Sequence, residues 1–218
     1  MQSLVGFGFN LFHFTEEKKM STKNTKKNLL IAGNAKIDKA VLCWSITPVK
    51  SCMNCKDCAK DCYAIKSYRQ YPSCKQGWDE RFELTKNDLE KFVEGINKQL
   101  SRTKKKVVRI HCAGDFHSKE YIAAWKKIAT DNPDVTFYGY SKVFGIFKEM
   151  DELNAIENVN IIDSIAVDGG INFGDDERIE ELKLLGYIVC PVTDGVDVKC
   201  GKTCDICHNT DKVCFRIH

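Results

Sequence analysis

From about Lys86 onward the chain alternates amphipathic helical stretches with short β-rich runs, and this rhythm restricts the fold more than any other feature. In "NDLEKFVEGINKQL", Leu89, Phe92, Val93, Ile96 and Leu100 recur at helical spacing and so share one face. Asn87 is placed as its N-cap, with Glu90 at the reciprocal position of a capping box. Lys104–Lys106 gives way to "VVRIHC", a strand; Ser118 then caps "KEYIAAWKKIAT", which carries Tyr121, Ile122, Trp125, Ile128 and Ala129 on one side. Asn132-Pro133 stops that helix before the strand "VTFYGYS". A short helix near 145–154, a strand at "NIIDSIAV", a helix at "DDERIEELKLLG" closed by Gly186 and a strand at "YIVCPV" continue the series, and "AVLCWSI" at 40–46 supplies a first strand.

Strands separated by helices imply right-handed crossovers and a parallel sheet. The expected fold is therefore α/β: a parallel sheet curled into a partial, incomplete TIM-like barrel with cysteine-rich metal-binding loops. Such sheets place their sites beyond the carboxyl ends of the strands. Here those ends carry Cys43-Trp44, His111-Cys112-Ala113-Gly114-Asp115-Phe116-His117, Tyr140-Ser141-Lys142, Asp168-Gly169-Gly170 and Cys190-Pro191. Residues 1–28 are expected to form an N-terminal extension outside the core, with Met20 as an alternative start, and residues 29–218 a single α/β domain.

The run Leu4–Phe14 is too short to span a bilayer, which takes roughly 20 apolar residues, and it has neither a basic flank before it nor a cleavage site after it. The reading is a cytoplasmic protein with no membrane partner. A net charge of +3, from 33 basic and 30 acidic residues, excludes nucleic-acid binding by bulk electrostatics and leaves only a local patch for it.

Twelve cysteines are gathered into clusters. "SCMNCKDCAKDCYA" spaces Cys52, Cys55, Cys58 and Cys62 as C-x2-C-x2-C-x3-C, the ferredoxin spacing, with Tyr63 where that motif has proline. A second group comprises Cys200, Cys204 and Cys207, with Cys190 ahead of it and Cys214 beyond. Short loops let successive thiolates reach adjacent irons, so one or two 4Fe-4S iron-sulfur clusters are the expected cofactors. Zinc is the runner-up metal, because Cys55-x2-Cys58 and Cys204-x2-Cys207 each supply half of a tetrahedral site. A reducing compartment disfavours disulfides. Cys43, Cys74 and Cys112 read as small interior residues.

Arg109 and His111 alternate with Val108 and Ile110, so both are expected on one face of their strand, pointing into the barrel. The bland alternative for Arg109 is a buried pair with Asp115 or Asp163. Arg109, His111, Asp115 and Lys142 are the candidate catalytic residues; Gly114, Asp115, Tyr140 and Asp168 are candidates for cofactor binding, the glycines allowing close approach of a ligand. His117 and Lys142 read equally well as solvated residues.

"CYA" at 62–64, "RIHCAGDFHSKEYIAAWKKIATDNPDVTFYGYSK" at 109–142 and "CGKTCDIC" at 200–207 resemble the family of phage and plasmid proteins typified by mycobacteriophage gene product eighty-eight. The resemblance implies a fold and a site but no reaction. More distantly, the order of strand, cysteine loop and glycine-acid turn is similar to radical S-adenosylmethionine enzymes, which implies S-adenosylmethionine as a further cofactor. Those enzymes use C-x3-C-x2-C after the first strand, whereas here Ile65 stands where the third cysteine would be. The expected function is an iron-sulfur enzyme acting on a small-molecule or macromolecular substrate, by radical chemistry or by sulfur or electron transfer. The alternative is a metal-stapled module that binds nucleic acid or a replication protein through Lys104–Lys106 and the N-terminal tail.

Overall fold

The computed structural model describes residues 28–55, 59–60, 62–164, 173–174, 176–191, 194–201, 203–210 and 212–216. The N-terminal extension, Cys58 and Asp168 lie outside the described residues.

Five strands form the main sheet: β1 (Ile31–Ala32), β2 (Val41–Ser45), β3 (Val107–Ala113), β4 (Thr136–Ser141) and β5 (Val159–Asp163), side by side in chain order. β2 to β5 run parallel, and β1 pairs antiparallel with β2. The connecting helices are α1 (Tyr63–Gln70), α2 (Pro72–Asn87) and α3 (Leu89–Leu100) between β2 and β3, then α4 (Lys119–Asp131) and α5 (Glu149–Asn154). The sheet is mostly parallel and does not close into a barrel; β1 and β5 are its two edges.

A parallel sheet whose strand order follows the chain, with every crossover on one side, leaves its other face uncovered by crossover helices. Leu42, Trp44, Val108, Ile110, Phe137, Val159 and Ile161 all pack on α3, α4 and α5 through Phe92, Ile96, Tyr121, Trp125, Met150 and Leu153. Trp44, Phe92, Tyr121 and Trp125 form the aromatic centre, with ring centroids 5.0 to 6.4 Å apart. Trp44 Nε1 donates to Tyr121 Oη at 2.7 Å, which satisfies the buried indole.

The remaining chain adds α6 (Asp176–Leu184), α7 (Ile206–Asn209) and a small sheet of β6 (Phe173–Gly174), β7 (Ile188–Val189) and β8 (Val213–Arg216) in the order β6-β8-β7. "YIVCPV" therefore does not extend the main sheet as its alternation suggests. Ile188–Val189 instead pairs with β8, and the segment packs on the open face, where Ile162 and Tyr140 meet Cys190, Ile206, Cys207 and Val213. Among the described residues no helix is long and apolar enough to cross a membrane.

Two helices precede the alternating region. Pro72 opens α2 within its first turn, a position that needs no N–H donor. Because α2 runs through Asn87, the cap of α3 is Asp88, whose carboxylate accepts from Lys91 N at 2.9 Å; Asn87 is not the cap. Ser118 caps α4 as its sequence position indicates, accepting from Tyr121 N.

Candidate functional site

The decisive local event is in β3. Val108 and Ile110 face the helices, and Arg109 faces the open side, as simple alternation requires. At the end of the strand the register breaks: Cys43 pairs with Arg109 and Ser45 with Ala113, so two steps along β2 match four along β3. His111 absorbs the excess with a φ of 57°, a left-handed conformation uncommon outside glycine. The bulge turns His111 onto the helix side, where it is 4% exposed. There it packs edge-on to Phe116 at 4.5 Å and shares a 2.9 Å hydrogen bond with Tyr121 Oη. Cys112 takes the open side in its place. Arg109 and His111 therefore lie on opposite faces, contrary to the expectation of a shared one, and the four expected catalytic residues do not form one constellation.

Asp115 has a different task. Its carboxylate accepts from Ser141 Oγ at 2.7 Å, from Lys142 N at 2.9 Å and from Phe116 N at 2.8 Å, tying the end of β3 to the end of β4. Burial pushes its pKa up to about 6 despite these donors. Lys142 meets it through the backbone, and Lys142 O in turn accepts from Asn54 in the cysteine loop. Gly114 has a φ of 86°, and a Cβ there would stand 2.4 Å from Ile46 Cγ1 and 2.6 Å from Ser51 Oγ. What approaches that glycine is the first turn of the cysteine loop, which Ser51 closes by donating to Thr47 O. Thr47 also donates to Asp79 of α2, a carboxylate that accepts from Tyr68 as well. The turn that leads into Cys52 is thus anchored to α2.

On the open face lies a cavity of about 540 Å³. Its floor is the sheet, with Arg109, Cys112, Tyr138 and Tyr140; its roof is the C-terminal segment, with Cys190, Cys200, Cys204, Cys207 and His208. Tyr63 lies at one side, its hydroxyl donating to Cys112 O although the residue is 69% exposed. The roof is pinned by Asp38 N donating to Cys200 O, by Asn160 Nδ2 donating to the carbonyls of Cys207 and Thr210, and by Tyr140 Oη donating to Cys207 Sγ at 2.7 Å. Cys214 is not part of this lining; it is fully buried against Ile179 and Leu182 of α6.

Of the cysteines proposed as ligands, Cys190, Cys200, Cys204 and Cys207 share the cavity lining, while Cys52, Cys55 and Cys62 belong to the loop between β2 and α1. Cys52, Cys62, Cys200, Cys204 and Cys207 are present as thiols. Among the described residues, no three histidine, cysteine or acidic side chains already stand in metal-holding geometry. The donor chemistry nevertheless suits a thiophilic metal, since five thiols and, among the described residues, no carboxylate line the cavity. Burial pushes Cys52 up to about 12 and Cys207 up to about 11, so metal loading at these thiols releases protons. Cys112 goes the other way, down to about 7, because of a hydrogen bond from Cys43 and, against the cost of burial, the neighbouring Arg109 guanidinium.

Tyr63, Cys112 and Tyr138 were missed as site residues by sequence reasoning. The signal for Tyr138 was there: it alternates with Phe137 and Gly139 and so shares the face of Tyr140. Cys112 had no such signal, since strict alternation places it on the helix side.

The profile of the Gene product 88 family matches residues 13–210. The chain belongs to that family. It is 36% identical over 95 residues to the Gene 88 protein of Mycobacterium phage L5, a match covering 39% of this chain and 40% of the relative. The Gene 88 protein of Mycobacterium phage D29 is 33% identical over 95 residues, with the same coverage of each. The chain thus matches about 40% of the length of these relatives. No solved structure matches it.

Proposed function

We propose that this member of the family is an iron-sulfur protein and that its open sheet face is the site of an enzyme. The observation that carries the proposal is the convergence of Cys190, Cys200, Cys204 and Cys207 on one cavity at the sheet, together with a second, anchored cysteine loop at the strand ends. Four soft donors from a short segment fit a cluster or a thiolate-bound metal. A cluster at either group would supply electron transfer, sulfur transfer or reductive cleavage of S-adenosylmethionine. The chain's own contribution is positional. Asp115 locks the strand ends that carry the loop, Gly114 lets the loop seat against the sheet, and Tyr140 and Asn160 hold the roof in place. In this reading a sheet with all its crossovers on one side serves as an incomplete barrel, whose concave side receives cofactor and substrate.

Zinc is favoured by one local feature: Cys200 and Cys204 are bridged through the backbone in a tight turn at Gly201, φ 82°, and both line the cavity. The nucleic-acid reading gains less, because Lys105 Nζ donates to Lys39 O and Lys106 pairs with Asp134.

Anaerobic purification with a visible absorption spectrum and counts of iron, sulfide and zinc tests the proposal. A brown protein with iron and sulfide in equal amounts is expected. A colourless protein with stoichiometric zinc overturns the cluster and installs the zinc reading. Reduced protein that releases the cleavage products of S-adenosylmethionine would narrow the reaction to radical chemistry.

A further inference from the structure

Arg109 and Tyr138 are register partners on β3 and β4, side by side on the open face. Arg109 Nε and Tyr138 Oη are both buried without a hydrogen-bond partner. Asp115 is not the counter-ion of Arg109, being engaged by Ser141 and by the backbone of Lys142 and Phe116; the titratable groups around Arg109 are the Cys112 thiol and the phenols of Tyr63, Tyr138 and Tyr140. The guanidinium lies 5.4 Å from the centroid of the Tyr140 ring, a contact that orients it but cannot neutralise it. Lys36 and Arg109 both line the cavity, and among the described residues the lining contains no aspartate or glutamate.

A guanidinium held away from water with its Nε–H unpaired is costly, and a neighbouring orphaned phenol adds to the cost. Both groups are donors, both residues line the same cavity, and one oxyanion could answer both, a guanidinium taking it in a forked pair. From this we propose that the cavity is a binding site for a small organic oxyanion, a carboxylate or phosphate on an apolar or aromatic body. Arg109 and Tyr138 grip the oxyanion, and Lys36 attracts it at the rim. The body is received by Trp78, Tyr63 and Ile206, which line the same space. A volume of about 540 Å³ lies within the range of small-molecule sites. The site does not depend on which metal the cysteines hold.

Calorimetric titration of the full-length chain with phenyl phosphate and with benzoate tests the proposal, with benzyl alcohol as the neutral control. Saturable binding of at least one anion is expected, with none of the alcohol. Arg109→Met and Tyr138→Phe should each weaken it at least tenfold, while Tyr138→Phe melts no lower than the parent because it removes only an unsatisfied hydroxyl. Failure of both anions to bind overturns the proposal, as does binding that both variants leave unchanged. Loss of bound metal in Arg109→Met, in a parent chain that binds neither anion, would assign the guanidinium to the metal thiolates instead. A chain that carries no iron yet binds phenyl phosphate through Arg109 would retain this site while the cluster reading fails.

Discussion

The two faces of the main sheet are built from the same strands and differ in kind. On the helix side, Val108, Ile110, Phe137 and Ile161 enter a continuous apolar and aromatic core. On the other side, Cys43, Arg109, Tyr138 and Asn160 form a polar rung across β2 to β5, covered by a short segment held by a few specific hydrogen bonds. Alternation along a strand lets one segment of sequence serve stability and chemistry without mixing them. Stability should therefore be lost on one face and function on the other.

The largest expected effect is on the helix face. Phe92→Ala removes a ring that contacts Trp44, Tyr121 and Trp125, and it should cost about 3–5 kcal/mol in denaturant unfolding. An unchanged midpoint would break the comparison at its root. Gly114→Ala comes next, because a left-handed backbone and contact with Ile46 and Ser51 act together; a loss of more than about 1 kcal/mol is expected. On the proposed metal-binding reading, the same variant should also lower metal retention by the cysteine loop, whereas Phe92→Ala should not while the protein remains folded.

The boundary between the faces should respond to pH. Burial, with a smaller contribution from His117, holds the His111 pKa well below its ordinary 6.5. The unfolded chain therefore binds a proton there before the native one does, and stability falls as pH drops below about 6.5. Asp115 works against this trend. With its pKa raised to about 6 from 3.8, the native carboxyl holds a proton that the unfolded one releases, so its contribution to stability rises as pH falls through that window. Unfolding midpoints measured from pH 7 to 4 should fall less steeply in His111→Asn, a residue that accepts the left-handed backbone, and more steeply in Asp115→Asn. Parallel profiles in all three proteins would show that neither group is buried as described. The smallest effect belongs to the surface: Lys126→Ala, which breaks an exposed pair with Glu152, should change stability by less than about 1 kcal/mol.

Periodicity carried much of the fold. The strands at 107–113, 136–141 and 159–163 and the helices capped near Asp88 and by Ser118 all follow from apolar spacing and local capping chemistry. α1 and α2 escaped it because "YAIKSYRQ" and "PSCKQGWDERFELTKN" carry few buried residues, only Ala64, Gly77 and Thr85, and so show no apolar stripe. The pairing of β7 with β8 is a long-range choice, and local pattern has no access to it. In the site, the clustering of cysteines indicated the chemistry of the donors, and Arg109 was placed on the correct face. His111 and Cys112 exchanged faces through a bulge whose cause is a mismatch of register with β2, a property of two strands together.

The roof of the cavity is fastened by local polar ties, an amide at Asn160, a phenol at Tyr140 and a backbone bond at Asp38, beside the apolar contacts of Cys190, Ile206, Cys207 and Val213 with Ile162 and Tyr140. None of them belongs to the ladder of the main sheet. A segment attached in this way can lift and reseat with the sheet intact, at a free energy well below that of global unfolding. Hydrogen exchange at Cys207 and His208 would then run ahead of exchange at Ile110 and Phe137. Such an opening would widen access to the floor, at a cost set by the Asn160 ties together with the apolar contacts at Ile162 and Tyr140.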